Sequence, residues 1–483
     1  MAIVRRLGLD IPVSRLPSLD PGFLPVGAFR RAYRAAAAAH PDSFRVRLAL
    51  ERESGRVSVV EEPAVPSGLG LDEATDLFFE RLLKSMLWVR GGFRAVLSAV
   101  PSPGDTTGRR AAADAFVDGL ARRLAETYAP GGARAFDASF MAGVYEAPFS
   151  VAALPLDRAP AENEPSLPVG GRLDGCRIGL DLGGSDRKVS AVIDGEAVYS
   201  EEVVWHPKTE SDPAYHSAGI LDALRTAAAR MPRVDSIGVS AAGIYVDNRT
   251  KVASLFLKVP PDAFRAQVRD IFLRAAAEMG GVPIRVVNDG DVTALAGAMA
   301  LKTDTLLGIA MGTSEAGGFV DANGGIRGWF NELAFVPVDV REEGAPLDPW
   351  SGDAGCGVQY FSQDAAIRLA PAAGIRLDPA LSPGDALKVL QERHAAGDPG
   401  AEAVFRSIGV YLGHALSDYA DFYGMKHVLV LGRVTSGAGG DRILEEAQAV
   451  LAEADPALAR TLRIHLPDEA IRRVGQSIAA ASL

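Results

Sequence analysis

The hydrophobic positions change their period along the chain. Phe44, Val46, Leu48 and Leu50 alternate with Arg45, Arg47 and Ala49, Ser54-Gly55 makes a turn, and Val57 to Val60 resumes a strand, which predicts a hairpin. Leu77, Phe78, Leu82, Leu83, Met86 and Leu87 then recur at helical spacing. Val96 to Val100 predicts another strand and Ala111 to Tyr128 a second helix. The Ala35 to Ala39 run lies beside Arg30, Arg31, Arg34 and His40 and reads as a surface helix of high propensity. No internal repeat and no helix–turn–helix signature stand out.

Pro155, Pro160, Pro165 and Pro168, then Gly170 and Gly171, interrupt this pattern. Such a stretch neither continues a helix nor sits in a central strand. Residues 153–174 therefore read as a linker behind an N-terminal α+β accessory domain, residues 1–152. After it come apolar strands at Cys176 to Leu182, Lys188 to Ile193 and Ala197 to Val203. A helix follows from about Ile220 to Ala229, a strand at Ser236 to Val239, a helix at Phe264 to Ala277 and a strand at Ile284 to Val287. Strands and helices alternate to the end. The pattern is α/β and runs in two halves, each opening with a strand that turns over a Gly-rich loop into another strand. Two lobes are expected, at 175–290 and 291–483, with the last helix free to return to the first.

Charge and cysteine usage narrow the function classes. Lys and Arg total 50 against 61 Asp and Glu, a net charge of -11, which disfavours a nucleic-acid-binding surface. Cys176 and Cys356 are the only cysteines, too few for a disulfide framework, a four-Cys zinc site or an iron–sulfur cluster. No apolar core follows Met1 to Arg6, and no run approaches a transmembrane span, so no membrane partner and a cytoplasmic setting are expected.

Three segments carry candidate chemistry. Asp181-Leu182-Gly183-Gly184-Ser185-Asp186-Arg187-Lys188 lies between two strands, so its turn is not a Walker loop. Its glycines let backbone N–H groups approach an anion, with Ser185 assisting, and Asp181 at the strand end can hold magnesium through water. An ordinary tight hairpin is the alternative. Met311-Gly312-Thr313-Ser314-Glu315-Ala316-Gly317-Gly318 repeats this logic in the second half. Two such hairpins facing one another would clamp a phosphate chain. Between them, Asn288-Asp289-Gly290-Asp291 follows an apolar strand and opens an apolar helix. A carboxylate there suits a general base; the alternative is that Asp289 or Asp291 caps the helix.

The series Asp-x-Gly-Gly-Ser with Lys188 seven positions after Asp181, then Asn288-Asp289, Gly312-Thr313-x-x-x-Gly317-Gly318 and Asn331-Glu332-Leu333, resembles the ROK (repressor, open reading frame, kinase) family. That family comprises sugar kinases and sugar-sensing repressors of the actin-like, hexokinase-like ATPase superfamily. The resemblance spans roughly Cys176 to Leu483. It implies a two-lobed actin-like (ribonuclease H-like) ATPase fold preceded by the extra N-terminal α+β domain. It implies ATP and Mg2+ as cofactors and a small-molecule sugar-like substrate. Asp181, Gly183, Gly184, Ser185, Lys188, Gly312, Thr313, Gly317 and Gly318 match its phosphate motifs, with Asp181 on the magnesium side. Asp289 matches its catalytic base, and Asn288 and Glu332 its sugar ligands. Gly432, Ser436 and Gly437 resemble its adenosine turn. Family members often pair, which leaves a homodimer open.

The chain also departs from the family pattern. Phe335 stands where the family has a histidine that binds sugar and a structural zinc, and only Cys356 remains of the zinc cysteines, so no structural zinc is expected. Val358 replaces a further carboxylate ligand, which points away from glucose. Ser314 and Glu315 are unusual in the second loop, where a carboxylate facing phosphates would repel them. Trp205, His206, Lys208, Tyr215 and His216 read as surface or packing residues, with a place along the cleft as the alternative because their loop follows the first lobe's hairpin; His414 and His427 read as structural, and Cys356 as a small buried residue. A sugar kinase is the leading expectation. The alternatives are a non-catalytic sensor and an actin-like ATPase coupled to a partner.

Overall fold

The computed structural model describes residues 2–102, 104–166, 170–468 and 475–483. Pro168 of the expected linker and residues 469–474 of the second expected lobe lie outside them. The first lobe is a five-stranded sheet in the order Ile284–Asn288, Ser236–Ala241, Cys176–Leu182, Asp186–Ile193, Glu196–Val204. The three earliest strands form an antiparallel meander, and Ser236–Ala241 and Ile284–Asn288 run parallel to Cys176–Leu182. Numbered along the chain the order is 5-4-1-2-3, that expected of a ribonuclease H-like lobe. The second lobe repeats part of it, with Glu315–Val320, Leu306–Met311, His427–Leu431 and Arg463–His465 side by side. In both lobes the hairpin turns fall at the same edge as the carboxyl ends of the parallel strands, so both glycine loops and Asp289 open toward one cleft.

The helix Gln476–Ala481 returns to the first lobe. It lies so close on Cys176–Leu182 that a Cβ at Gly179 would collide with the Ser477 carbonyl, and Ser477 Oγ bonds Ser190 Oγ at 2.8 Å.

The N-terminal segment forms its own four-stranded sheet, Val57–Ala64, Phe44–Glu51, Arg94–Val100 and Ser150–Ala153, faced by the helices Asp72–Arg90 and Thr107–Tyr128. Its core is nevertheless continuous with that of the second lobe: Phe78, Leu82 and Trp88 pack in one cluster with Phe335, Val336, Leu416 and Tyr419. The first lobe keeps a separate core around Ile178, Leu180, Leu224 and Val239. The helix Val26–Ala39 is correspondingly not the surface helix its arginines advertise. Arg30 is fully buried and makes a bidentate pair with Asp418, both bonds 2.8 Å. Asp20 accepts from Arg341 at 2.7 and 2.8 Å and from the Tyr411 hydroxyl at 2.7 Å. One ion cluster reaches the other way: Glu146, at the end of the helix Ala135–Tyr145, pairs with Lys251 and Arg269 of the first lobe, each at 3.1 Å. The N-terminal segment thus spans both lobes.

Candidate active site

Asp181 ends the central strand of the first lobe and is 7% exposed. Ser240 Oγ donates to it at 2.7 Å. Gln476, from the returning helix, donates its amide nitrogen to the other oxygen at 2.9 Å, while its amide oxygen accepts from Thr293 Oγ1 at 2.6 Å. Burial first, and then the nearby Asp289 carboxylate, push Asp181 up to about 6. Neither Ser240 nor Gln476 is marked by any motif, because both reach Asp181 from elements distant in sequence.

The first glycine turn is tied by the Gly183 N–H to the Asp186 carbonyl at 2.9 Å. Ser185 Oγ faces Asp186 at 2.9 Å. Lys188 is directly opposite Asp181 in register, but its ammonium lies 3.5 Å from Asp186 and 3.8 Å from Glu202. Its charge is already shared by two carboxylates.

Asp289 is the first residue of the helix Asp289–Leu301. Asn288 is its cap: the amide oxygen accepts from the Gly290 N–H at 2.7 Å and the amide nitrogen donates to the Gly243 carbonyl at 2.8 Å. The Gly290 N–H is shared: Asp289 Oδ1 also accepts from it, at 3.0 Å. Burial raises its proton affinity above the ordinary carboxylate range, and the Gly290 N–H and the charge of Lys208 oppose the shift. Asp291, two positions on, points the other way. It accepts from the Phe319 N–H at 3.1 Å and from Asn331 Nδ2 at 2.8 Å, and burial pushes it up to about 7. The base candidate and the structural carboxylate of this segment are therefore separated by geometry. Glu332 is half-buried, near both aspartates, and pushed up to about 7 by burial and by their charge. Its backbone N–H donates to the Trp88 carbonyl at 3.0 Å, and that of Asn331 to the Val89 carbonyl at 3.0 Å. The N-terminal helix thus holds the loop that carries Glu332.

The residues of the second glycine motif divide. Gly312 and Thr313 form an open turn, with Thr313 exposed. Gly317 and Gly318 are buried in the strand, where a Cβ at Gly318 would strike the Gly290 carbonyl. Gly318 thus lets the Asp289 helix lie against the strand, and Gly317 makes room on the other side for the Asn331 carbonyl and Leu333. Glu315 is turned away from the loop. Its carboxyl lies beneath the Gly357 backbone and faces the Tyr419 hydroxyl, the one polar group that eases its burial among the described residues. Burial pushes it up to about 8, so near neutrality it carries a proton and no charge toward the cleft. Gly432 lies against the backbone of Met311, at the root of the second turn. Ser436 and Gly437 continue to the start of the helix Ala438–Ala454, and Ser436 Oγ reaches back to the Gly432 carbonyl at 3.4 Å.

Phe335 leaves the pocket altogether. Its ring stacks on Trp88, at 4.1 Å between centroids, with Phe136 and Trp350 around it. Nearby, Cys356 is fully buried and desolvation pushes its thiol up to about 11. Lys84 occupies this region as a buried cation, bonded to Asp137 at 2.9 Å and to Asp353 at 2.5 Å.

Among the histidines, His414 Nε2 faces the Arg15 carbonyl at 2.8 Å, and His427 faces His465 at 3.0 Å; both are held away from the cleft. Trp205 and His216 are buried, as packing residues should be, but they carry Lys208 to the first glycine turn.

The fit to a magnesium ion is chemical. The Asp289 charge helps to raise Asp181, a repulsion that a divalent cation would relieve, although among the described residues no three acidic, histidine or cysteine side chains gather as a ready-made ligand set, so water or phosphate oxygens would complete the shell. The oxygen donors present are those hard cations take.

The model of the ROK family matches residues 177–459. No curated protein matches the sequence. Among solved structures the chain is similar to a ROK hexokinase from Thermus thermophilus, at 21% identity and TM-score 0.49, over 64% of this chain and 97% of that one. It is similar to a ROK family glucokinase from Streptomyces griseus in complex with glucose and AMPPNP, at 22% identity and TM-score 0.44, over 64% and 98%. It is also similar to a ROK family transcriptional regulator described as a homolog of the E. coli MLC protein, at 19% identity and TM-score 0.48, over 64% and 78%.

Proposed function

The chain belongs to the ROK family, and on that premise we propose that it is an ATP- and magnesium-dependent phosphotransferase acting on a hydroxyl of a sugar or sugar-like acceptor other than glucose. The observation that carries this reading is the state of Asp289. Asn288 makes the shorter cap bond to the Gly290 N–H, 2.7 Å against 3.0 Å for Asp289 Oδ1, and burial raises the proton affinity of Asp289, the direction that suits a general base.

In this reading the two glycine turns hold the phosphates, one from each lobe, through backbone N–H groups around Gly183, Gly184, Gly312 and Thr313. The segment Gly432 to Gly437 lies beside the second turn and receives the adenosine. Asp181, held by Ser240 and Gln476, would hold the magnesium, and the ion when bound would neutralise charge on the phosphates. Glu332 and Asn288 meet the acceptor's hydroxyls on the side of Asp289, with Glu332 the freer ligand, because the Asn288 amide is engaged at both ends. Asp289 accepts the proton of the attacking hydroxyl. Phosphoryl transfer asks mainly for positioning and electrostatic support, which this arrangement supplies. Phe335 and Val358 supply no polar ligand, which supports an acceptor with fewer recognised hydroxyls than glucose.

A panel of sugars, amino sugars and polyols with ATP and magnesium tests the reading, with phosphorylated acceptor detected by mass. One acceptor class giving product supports it. ATP bound tightly with no acceptor phosphorylated moves the chain to the non-catalytic sensor or the partner-coupled ATPase.

A further inference from the structure

Lys208 is exposed on the loop that follows the strand Glu196–Val204. Its side chain lies over the first glycine turn, so that a Cβ at Gly184 would fall on Lys208 Cε and 2.8 Å from Nζ. Its charge reaches Asp289. Among the described residues it makes no ion pair and no hydrogen bond through its ammonium, unlike Lys188.

The loop beneath it is built to present it. The Trp205 indole N–H faces the Gly183 carbonyl at 2.8 Å and the Asp186 carbonyl at 3.1 Å, and the Trp205 backbone N–H donates to Ser185 at 3.1 Å. His216, fully buried, turns Nε2 to the Pro207 carbonyl at 3.0 Å and the Leu255 carbonyl at 3.1 Å, and Nδ1 to the Asp212 carbonyl at 3.2 Å. Thr209 closes the turn onto the His206 carbonyl, by its hydroxyl at 2.9 Å and its N–H at 3.2 Å. The His206 N–H donates to the Tyr215 hydroxyl at 3.0 Å. Both flanks of Lys208 are thus fixed, one of them directly to the turn that its side chain covers.

We infer that Lys208 binds the phosphoryl group in transit between nucleotide and acceptor, and that the Trp205–His216 brace exists to hold it there. The inference rests on the phosphotransferase reading. A group passing from a nucleotide on the Gly183–Gly184 turn to a hydroxyl at Asp289 must cross the space Lys208 overlooks. The three terminal oxygens carry spread negative charge in that passage, and a positioned cation stabilises it. A flexible, strongly hydrated ammonium held without a partner by a rigid loop fits an anion that arrives with the substrate. Lys208 is then a catalytic residue, and Trp205 and His216 are positioning residues.

The test uses the full chain and its K208M and K208R variants. Affinities for ATP and for ADP are titrated separately, and acceptor-dependent turnover is measured at saturating ATP. Lys208 is exposed and unbonded, so the melting temperature should not move. K208M is expected to lose about 100-fold in kcat, the loss seen when one transition-state donor is removed. It should also lose about 10-fold in the preference for ATP over ADP, and K208R should recover part of both. Turnover and nucleotide preference within twofold of wild type in K208M would overturn the assignment and leave the kinase reading standing. If no acceptor is found, the ATP-to-ADP preference still decides for or against Lys208. Failure of the unaltered chain to bind either nucleotide would overturn both.

Discussion

Trp88 and Phe335 stack with their planes 26° from parallel and their ring centroids 4.1 Å apart. They join the N-terminal helix Asp72–Arg90 to the loop that carries Glu332, and the Trp88 carbonyl also receives the Glu332 N–H. The stack makes residues that precede the family's region part of the candidate acceptor site. W88A removes a fully buried indole and its 2.8 Å bond to Asp137. The expected cost is about 3–5 kcal/mol in denaturant unfolding. Because the two regions share one core, the N-terminal segment and the second lobe should unfold in a single transition. A separate low-denaturant transition of the N-terminal segment would contradict the shared core.

Glu315 sets a pH dependence of stability. The folded protein holds its proton up to about pH 8, whereas the ordinary value is 4.5. Folding therefore binds a proton between these values. The contribution is complete below pH 4.5, falls as pH rises, and levels out above pH 8, a loss of up to about 5 kcal/mol. E315Q keeps the shape and removes the ionisation. It should melt like the unaltered protein at pH 5 and at a clearly higher temperature at pH 8. Equal melting temperatures at pH 8 would show that Glu315 ionises freely in the folded chain.

Gly179 is the floor on which the returning helix Gln476–Ala481 rests. G179A should displace that helix at a cost of about 1–3 kcal/mol. Hydrogen exchange of residues 476–483 should accelerate well beyond that of the central strand. Since Gln476 leaves Asp181 with the helix, the magnesium concentration needed for half-maximal turnover should also rise. Unchanged exchange in this segment would mean that the strand moves aside instead.

The two-lobed design was legible because it rests on local patterns. An apolar strand, a glycine turn and a second apolar strand announce themselves within a dozen residues around Asp181 and again around Gly312. The segment Asn288–Asp291 was legible as a candidate base with a competing cap: Asn288 makes the shorter cap bond to the Gly290 N–H, Asp289 shares that donor, and Asp291 braces the strand. What escaped depends on partners far along the chain. Arg30 looks like a surface residue until Asp418 is placed against it. The loss of the family's histidine was visible at Phe335, but not that Trp88 would draw the ring out of the pocket. Glu315 read as a charge near phosphates, because nothing local shows that it turns under Gly357 and holds a proton. The Lys208 loop read as surface or packing, with a place along the cleft as the alternative, because the braces that aim Lys208 end on backbone carbonyls, which have no sequence signature.

The most direct test of the central claim compares D289N with the unaltered protein for ATP affinity and acceptor-dependent turnover in the same preparation. The account predicts ATP affinity within a few-fold of the original, because Asp289 acts on the acceptor's proton. It predicts turnover lower by about 1000-fold, within the range for loss of a general base. Turnover within tenfold of the original in D289N, with product still formed on the same acceptor, would contradict the assignment of Asp289 as the base.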